Sequence, residues 1–407
     1  MQQTRAPRVV LGVAGGIAAY KSCEILRSLT ESGLRVDVIP TPAALEFVGS
    51  ATFEALSGNP VSTGVFSDIS SVRHVRLGQE ADLVVIAPAT ADLIARMANG
   101  RADDLLTSTL LATRAPVLVA PAMHTEMWQH PATQANIATL RERGVVVVGP
   151  AHGRLTGKDT GPGRLAEPAE IVRMSRVLLE RASAVPYDLG GLRVVVTAGG
   201  TRELLDPVRF LTNRSSGKQG WALAEVAAAR GADVTLISAN VDRVGPAGVR
   251  LQQVQTALEL EEATVAAAGA ADVVVMAAAV SDFRPTVRHD SKIKKTDAEP
   301  DQIALTKNPD ILAGLVQARE SGALPANLRI VGFAAETGDE LHTIEEYGRQ
   351  KLARKGCDFI VVNDVGAGGA FENDDNAGLI LGATGTSAVI PRGSKHLVAA
   401  QIWDTVS

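Results

Sequence analysis

The feature that most constrains this chain is a repeated alternation. Short runs of β-branched and other apolar residues, apolar at nearly every position, are each followed by a stretch with helical periodicity. A strand with one wet face alternates apolar and polar residues, whereas a strand buried on both faces of a parallel sheet does not. Such runs lie near 8–13, 35–39, 83–87, 117–120 and 145–148, and again near 193–197, 233–237, 273–277, 329–333 and 358–362. Strand–helix alternation predicts an α/β protein with doubly wound parallel sheets. The pattern also restarts: RVVLGVAGG at 8–16 returns as RVVVTAGG at 193–200. Between them a helical stretch at 169–182 gives way to ASAVPYDLGG, which has no periodicity and carries Pro and Gly. We therefore expect two domains, 1–182 and 191–407, joined by a linker at 183–190.

A chain of 407 residues is long enough for a full core in each half. Hydrophobic residues make up 46% and charged residues 21%, ordinary values for a soluble globular protein. A net charge of −5, with KIKK at 292–295 as a short basic cluster, argues against nucleic acid as a partner. Two distant cysteines, Cys23 and Cys357, exclude a disulfide framework and suit a reducing compartment. The apolar run after Arg5 and Arg8 resembles a signal peptide, but Gly12, Gly15 and Gly16 interrupt it and it flows into a helical stretch. No later apolar run approaches the ~20 residues of a membrane span. A cytoplasmic protein is expected.

In the first half, GVAGGIAAYKS at 12–22 follows a strand and opens a helix. Gly15 and Gly16 would let backbone N–H groups approach a phosphate at a helix start; a plain tight strand–helix turn is the alternative. The spacing is not GxGxxG, so the dinucleotide fingerprint is absent. TPAA at 41–44 and APATADLIARMANG at 87–100 also end strands. In an open parallel sheet ligands sit at the carboxyl ends of strands. Ordinary capping explains each loop, but not their shared edge. Pro88, Ala89, Thr90 and Ala91 would give a flat floor of small residues for a ring system. His74, in SSVRHVRLG, is either a surface or structural histidine or a catalytic one. PAMHTEMW at 121–128 brings Met123 and His124 to another strand end.

In the second half, TAGGTRE and TNRSSGKQG flank the first expected helix. Ser215, Ser216, Gly217 and Lys218 at a helix start suit phosphate oxygens, with simple capping by Ser216 as the alternative. The sequence is not a P-loop. AAAVSDFRP at 277–285, TKNPDIL at 306–312 and GFAAET at 332–337 close further strands or connections. In QKLARKGCDFIVVND at 350–364, Lys351 and Lys355 are one helical turn apart on one face. Cations that recur beside strand ends favour a polyphosphate site over a merely solvated surface.

GVAGGIAAYKS, HVRL, APATADLIARMANG and PAMHTEMW together resemble the flavoprotein family of cysteine decarboxylases, over roughly 8–180. That resemblance implies a flavodoxin-like domain and FMN, with Gly15, Gly16, Ile17, Thr41, Pro88, Ala89, Thr90 and Ala91 around the flavin. It implies His74 as the essential histidine, and Asn99, Met123 and Thr156 against substrate. His124 stands where the family's carboxylate-binding Asn is usual. The segment GRLTGKDTGPGRLAEP at 153–168 is similar to the family's substrate-covering flap, but Thr156 stands about where its reactive Cys would be. The proton that Cys delivers would then come from Lys158, Asp159 or water.

The second-half motifs resemble phosphopantothenate–cysteine ligases, over roughly 190–405, with a Rossmann-like sheet. This resemblance implies CTP as co-substrate, Mg²⁺, and an acyl-cytidylate. It places Asn213 on that intermediate, Arg209 in the substrate region, and Lys292 in the second half-reaction. Gly200, Ser215, Ser216, Gly217, Asp282, Phe283, Lys292, Lys307, Phe333, Lys351 and Lys355 are implied around the nucleotide, with Asn373 and Asp374 in a nearby loop and Asp282 as a candidate metal ligand. The decarboxylase–ligase order is that of the bacterial bifunctional enzymes of coenzyme A synthesis, whose partners are 4′-phosphopantothenate, cysteine and CTP. The resemblance also implies decarboxylase trimers linked by ligase dimers, a homo-oligomer that closes as a dodecamer.

Two other readings are weighed. An NAD-linked oxidoreductase requires a GxGxxG fingerprint, which neither Gly-rich opening supplies. A flavin-binding module that only scaffolds the ligase would explain the absent flap Cys, but it leaves His74 without a reason.

Overall fold

A computed structural model describes residues 5–61, 72–155, 159–293, 302–336, 343–364 and 375–407. The chain forms two compact units. One comprises Met1–Asp188 with Ala228–Arg230 and Pro246–Gly248; the other comprises Leu189–Ala227, Gly231–Gly245 and Val249–Ser407.

The first unit contains β1 (Arg8–Val13), β2 (Arg35–Pro40), β3 (Leu83–Ala89), β4 (Val117–Pro121) and β5 (Val146–Val147). They form one parallel sheet in the order β2-β1-β3-β4-β5. Every residue of β1 and β3 is buried, as their unbroken apolar runs require. Helices such as Ala91–Ala98 and Pro168–Glu180 connect or cover these strands. The latter starts on Pro168, whose fixed φ suits a first helical position, and buries Ile171, Met174, Val177 and Leu178 at helical spacing. A full apolar side chain such as Leu83 or Ile86 contributes about 1.5–3 kcal/mol when buried. An antiparallel hairpin, β6 (Ala151–Arg154) and β7 (Thr160–Arg164), stands apart from the sheet.

The second unit runs β8 (Arg193–Gly199), β9 (Arg202–Leu204), β10 (Phe210–Thr212), β11 (Asp233–Ala239), β12 (Val249–Val254), β13 (Val273–Met276), β14 (Phe283–Pro285), β15 (Leu305–Lys307), β16 (Arg329–Glu336), β17 (Phe359–Asp364), β18 (Asp375–Gly382) and β19 (Ser387–Ser394). Its main sheet has the order β12-β11-β8-β13-β16-β17-β18-β19. The strands are parallel from β12 to β17, and β18 and β19 add an antiparallel edge. Two small antiparallel hairpins, β9–β10 and β14–β15, leave the sheet near the carboxyl ends of β8 and β13.

Both sheets have the expected α/β, doubly wound form. Strand order reverses between β1 and β3 in the first unit and between β8 and β13 in the second, the points where such sheets open a crevice. The ten apolar runs all became strands of these sheets. The strands β12, β18 and β19 and the hairpins were not foreseen. β12 mixes exposed and half-buried residues, and β18 and β19 carry Asn, Gly, Ser and Arg, so none has the all-apolar signature.

Candidate active sites

In the first unit, the turn after β1 leads into a short 3-10 helix, Ile17–Lys21, and then into helix Ser22–Glu31. The first N–H groups of such a start have no partner within the helix and face outward. Gly15 makes this turn possible: a Cβ there would lie 2.5 Å from the Ala43 Cβ and 2.7 Å from its carbonyl carbon. Thr41 caps the facing 3-10 turn, Pro42–Glu46, by accepting the Ala44 N–H at 3.2 Å. Thr90 likewise caps helix Ala91–Ala98 through the Leu93 N–H at 3.3 Å. These strand-end loops enclose a cavity of about 560 Å³, within the range of small-molecule sites. Gly15, Gly16, Ile17, Pro88, Thr90, Ala91, Met123 and His124 all line it. Thr41 lines an adjoining lobe with Gly15, Thr90 and Ala91. Ala89 lies buried behind the wall, and its carbonyl accepts the Ala122 N–H.

The β6–β7 hairpin closes over the PAMHTEMW loop. The Met123 N–H donates to the Gly163 carbonyl at 2.9 Å, and a Cβ at Gly161 would meet the Thr125 Oγ1 at 2.3 Å. Arg154, Leu155 and Arg164 of this hairpin also line the cavity. Thr156 and Lys158 lie outside the described residues. Behind Thr90, Arg96 binds Asp92, Asp103 and Asp104 at 2.8–3.0 Å. The hydrogen bond from Arg96 holds the Asp103 carboxyl below its ordinary range.

The structure does not bring every candidate here. His74 sits in the first turn of helix Arg73–Glu80 and does not line its own chain's cavity. Its Nδ1 is buried without a hydrogen-bond partner among the described residues. Asn99 follows helix Ala91–Ala98, bonds back to the Ala95 carbonyl, and also lies off the cavity.

In the second unit, helix Lys218–Ala229 begins beside the carboxyl end of β8. It packs close because Gly220 lacks a side chain: a Cβ would lie 2.4 Å from the Ala198 Cβ. Ser215, Ser216, Gly217 and Phe333 line a crevice of about 160 Å³ with Ala277, Ala278 and Ala279. The crevice includes residues that sequence reasoning missed. Gln219, Asn363, Asn376 and Lys395 form its other wall, and Lys395 is only 6% exposed. The Asn376 amide donates to the Asn363 Oδ1 at 3.0 Å, and the Gln219 amide donates to the Lys395 carbonyl at 3.1 Å. Asn363 was present in a quoted motif, but nothing local marks Asn376 or Lys395 as buried.

The remaining candidates do not line this crevice. Gly200 backs onto Asn213, whose carbonyl oxygen would be 2.9 Å from a Cβ there. The Asn213 amide is held by the Val280 carbonyl at 2.9 Å. Arg209 pairs with Asp206. Phe283 faces Lys307 across the β14–β15 hairpin, and Asp282 and Lys292 are exposed. Lys351 and Lys355 lie on helix Ile344–Lys355, where Lys355 pairs with Asp310. Burial works against the Asp310 carboxylate, but Lys355 holds its pKa below the ordinary value. Asn373 and Asp374 fall outside the described residues, and among the described residues no three His, Cys, Asp or Glu side chains gather as a metal site.

Comparison with known proteins also finds two parts in the chain. Residues 1–179 match the family model "Flavoprotein", and residues 189–407 match "DNA/pantothenate metabolism flavoprotein C-terminal domain". The chain is 60% identical over 401 residues to the coenzyme A biosynthesis bifunctional protein CoaBC of Mycolicibacterium smegmatis, covering 98% of this chain and 97% of that one. It is 45% identical over 410 residues to the protein of the same description from Vibrio cholerae, covering 100% and 99%. Among solved structures, the C-terminal domain of a coenzyme A biosynthesis bifunctional protein CoaBC is 35% identical, with a TM-score of 0.44, covering 54% of this chain and 95% of that one.

Proposed function

The chain belongs to the bifunctional coenzyme A biosynthesis proteins, and from that premise we propose how its two units divide two consecutive reactions between them. The observation that carries the reading is an end-to-end relationship at 60% identity to a bifunctional relative. Residues 191–407 join cysteine to 4′-phosphopantothenate at the expense of CTP. Residues 1–182 decarboxylate the resulting 4′-phosphopantothenoylcysteine to 4′-phosphopantetheine, and 183–190 link them.

In the ligase step, a substrate carboxylate oxygen attacks the α-phosphorus of CTP and pyrophosphate leaves. The cysteine amine then attacks the activated carbonyl carbon and CMP leaves with the bonding electrons. The start of helix Lys218–Ala229, with Ser215, Ser216 and Gly217, offers N–H and hydroxyl donors where phosphate charge gathers. Gly200, Asp282, Phe283, Lys307, Phe333, Lys351 and Lys355 complete our nucleotide site. Asn213 contacts the acyl-cytidylate, Arg209 lies in the same substrate region, and Lys292 serves amide formation. Mg²⁺ would arrive on the triphosphate, since this ion keeps waters and phosphate oxygens rather than a protein cage. Asp282 is our candidate protein ligand.

The first cavity fits FMN. Its floor is small and apolar, and the Gly15–Gly16 turn offers N–H groups to a phosphate. When bound, the flavin supplies the electron sink that allows the cysteinyl carboxylate to leave as carbon dioxide. His124 and Met123 line this cavity beside the β6–β7 hairpin, where the imidazole can donate to that carboxylate. The β6–β7 hairpin limits water over the reacting end. Because His74 lies off its own cavity, we place it against a neighbouring subunit's flavin site. A buried nitrogen with no partner among the described residues costs about 1–3 kcal/mol if left so, which a group from a neighbouring subunit would relieve. The exposed Ile17, Tyr20 and Phe47 around the cavity suit such a contact in a homo-oligomer.

The free cysteines suit the cytoplasm, and among the described residues no helix is long and apolar enough to cross a membrane. The division of labour is tested with two variants. His74→Asn should abolish carbon dioxide release and leave ligation intact. Lys292→Gln should still release pyrophosphate but fail to form the amide. Carbon dioxide release by the first, or normal amide formation by the second, would remove that residue from its role.

A further inference from the structure

Lys292 is exposed and stands on an irregular segment, yet the backbone beside it is held with unusual completeness. Asp206, in the turn between β9 and β10, is fully buried at 0% exposure. Its Oδ1 accepts the N–H groups of Val208 and Arg209 at 2.7 and 2.8 Å, which fixes the turn. Its Oδ2 accepts the N–H of Ile293 at 3.2 Å and faces the Arg209 Nε at 3.4 Å. The Arg209 Nη2 in turn donates to the Ile293 carbonyl at 2.6 Å. One carboxylate and its paired guanidinium therefore grip both polar groups of the residue that follows Lys292. A further tie, from the His289 N–H to the Leu205 carbonyl at 2.9 Å, fixes the same segment on the other side of Lys292.

We propose that Asp206 is a positioning residue for amide formation: through Oδ2 and Arg209 it fixes the Ile293 peptide, and with it the place of the Lys292 ammonium over the activated carbonyl. The inference rests on the reading of Lys292 given above. Burying a carboxylate is costly unless its lone pairs are filled, and here the donors are the backbone of the two segments being joined. Burial would raise the Asp206 carboxyl, but those N–H groups and the Arg209 charge outweigh it and hold it below its ordinary value. The clamp is therefore charged and intact at neutral pH.

An amide of the same shape cannot do both jobs. Asp206→Asn keeps one acceptor oxygen and turns an NH₂ group toward either the turn or Ile293. If Asn keeps the turn, the Ile293 N–H loses its acceptor. A misplacement near 1 Å is worth on the order of 10²-fold in rate. With phosphopantothenate, CTP and Mg²⁺, the Asp206→Asn enzyme should release pyrophosphate with the parent's burst amplitude. On addition of cysteine, amide formation should be slower by roughly 10²-fold, with acyl-cytidylate accumulating as in Lys292→Gln. Ile293→Pro removes the N–H from the other side and should separate the half-reactions in the same way. If both half-reactions fall together in both variants, or the variants do not fold, Asp206 is structural and the proposal is overturned. If Asp206→Asn forms amide at the parent rate while Lys292→Gln does not, the clamp is refuted and the role of Lys292 stands. If Lys292→Gln forms amide normally, the reading of Lys292 itself fails.

Discussion

Individual residues matter here mostly by what they leave out. Gly15 allows the loop after β1 to lie against the 41–46 turn, and the two together shape one end of the first cavity. A methyl at that position would overlap backbone atoms rather than the tip of a flexible side chain. Gly15→Ala should therefore push the two loops apart, and flavin retention should fall by at least tenfold, read from the visible absorbance of the purified protein. Retention at the parent level would show that the flavin does not use this loop. The other informative residues are polar and buried: Lys395 and Asn376 in the crevice wall, and Asp206 beneath the Lys292 segment. None belongs to a local pattern that advertises burial, because each has at least one partner distant in sequence: Gln219 for the Lys395 carbonyl, Asn363 for Asn376 and Ile293 for Asp206.

At the scale of elements, what was legible followed from periodicity. Strands buried on two faces announce themselves, so both parallel sheets and the loops at their carboxyl ends were readable. The order of those strands was not in the runs themselves, and neither was the antiparallel edge. β18 and β19 have mixed exposure and carry residues common in loops. That edge is what brings Asn376 and Lys395 to the crevice, which is why this wall was missed. The hairpins had the same fate, being three residues per strand in the case of β14 and β15. The motif residues fared better in the first unit, where eight of the candidate positions share one cavity wall. His74 and Asn99 do not share it, since sequence spacing does not say which motif residues face the cavity. In the second unit the cations Lys292, Lys307, Lys351 and Lys355 lie outside the described crevice lining.

For the whole molecule, the relevant question is what covers the apolar surface that each unit exposes. In the second unit, Val208, Phe210, Phe283, Val287, Ile303 and Leu305 are all exposed on or beside the β9–β10 and β14–β15 hairpins. Scattered apolar residues need no explanation, but a group gathered on adjacent hairpins fits a protein contact. A second copy of the same unit is the partner our assembly requires, through a two-fold contact. Val287→Asp places a charge in that patch at a side chain 60% exposed, where the fold itself has little to lose. The particle mass in solution, followed by light scattering, should drop toward that of a smaller assembly. An unchanged mass would place the contact elsewhere.

The central claim, two reactions in sequence on one chain, is tested most directly by following products. Purified protein is given 4′-phosphopantothenate, cysteine and Mg²⁺ with each nucleoside triphosphate in turn, and products are identified by mass spectrometry. A flavin-coloured protein should yield CMP and 4′-phosphopantetheine, with CTP the preferred nucleotide. Accumulation of 4′-phosphopantothenoylcysteine without loss of carbon dioxide would contradict the role given to the first unit, and absence of any amide product would contradict that of the second.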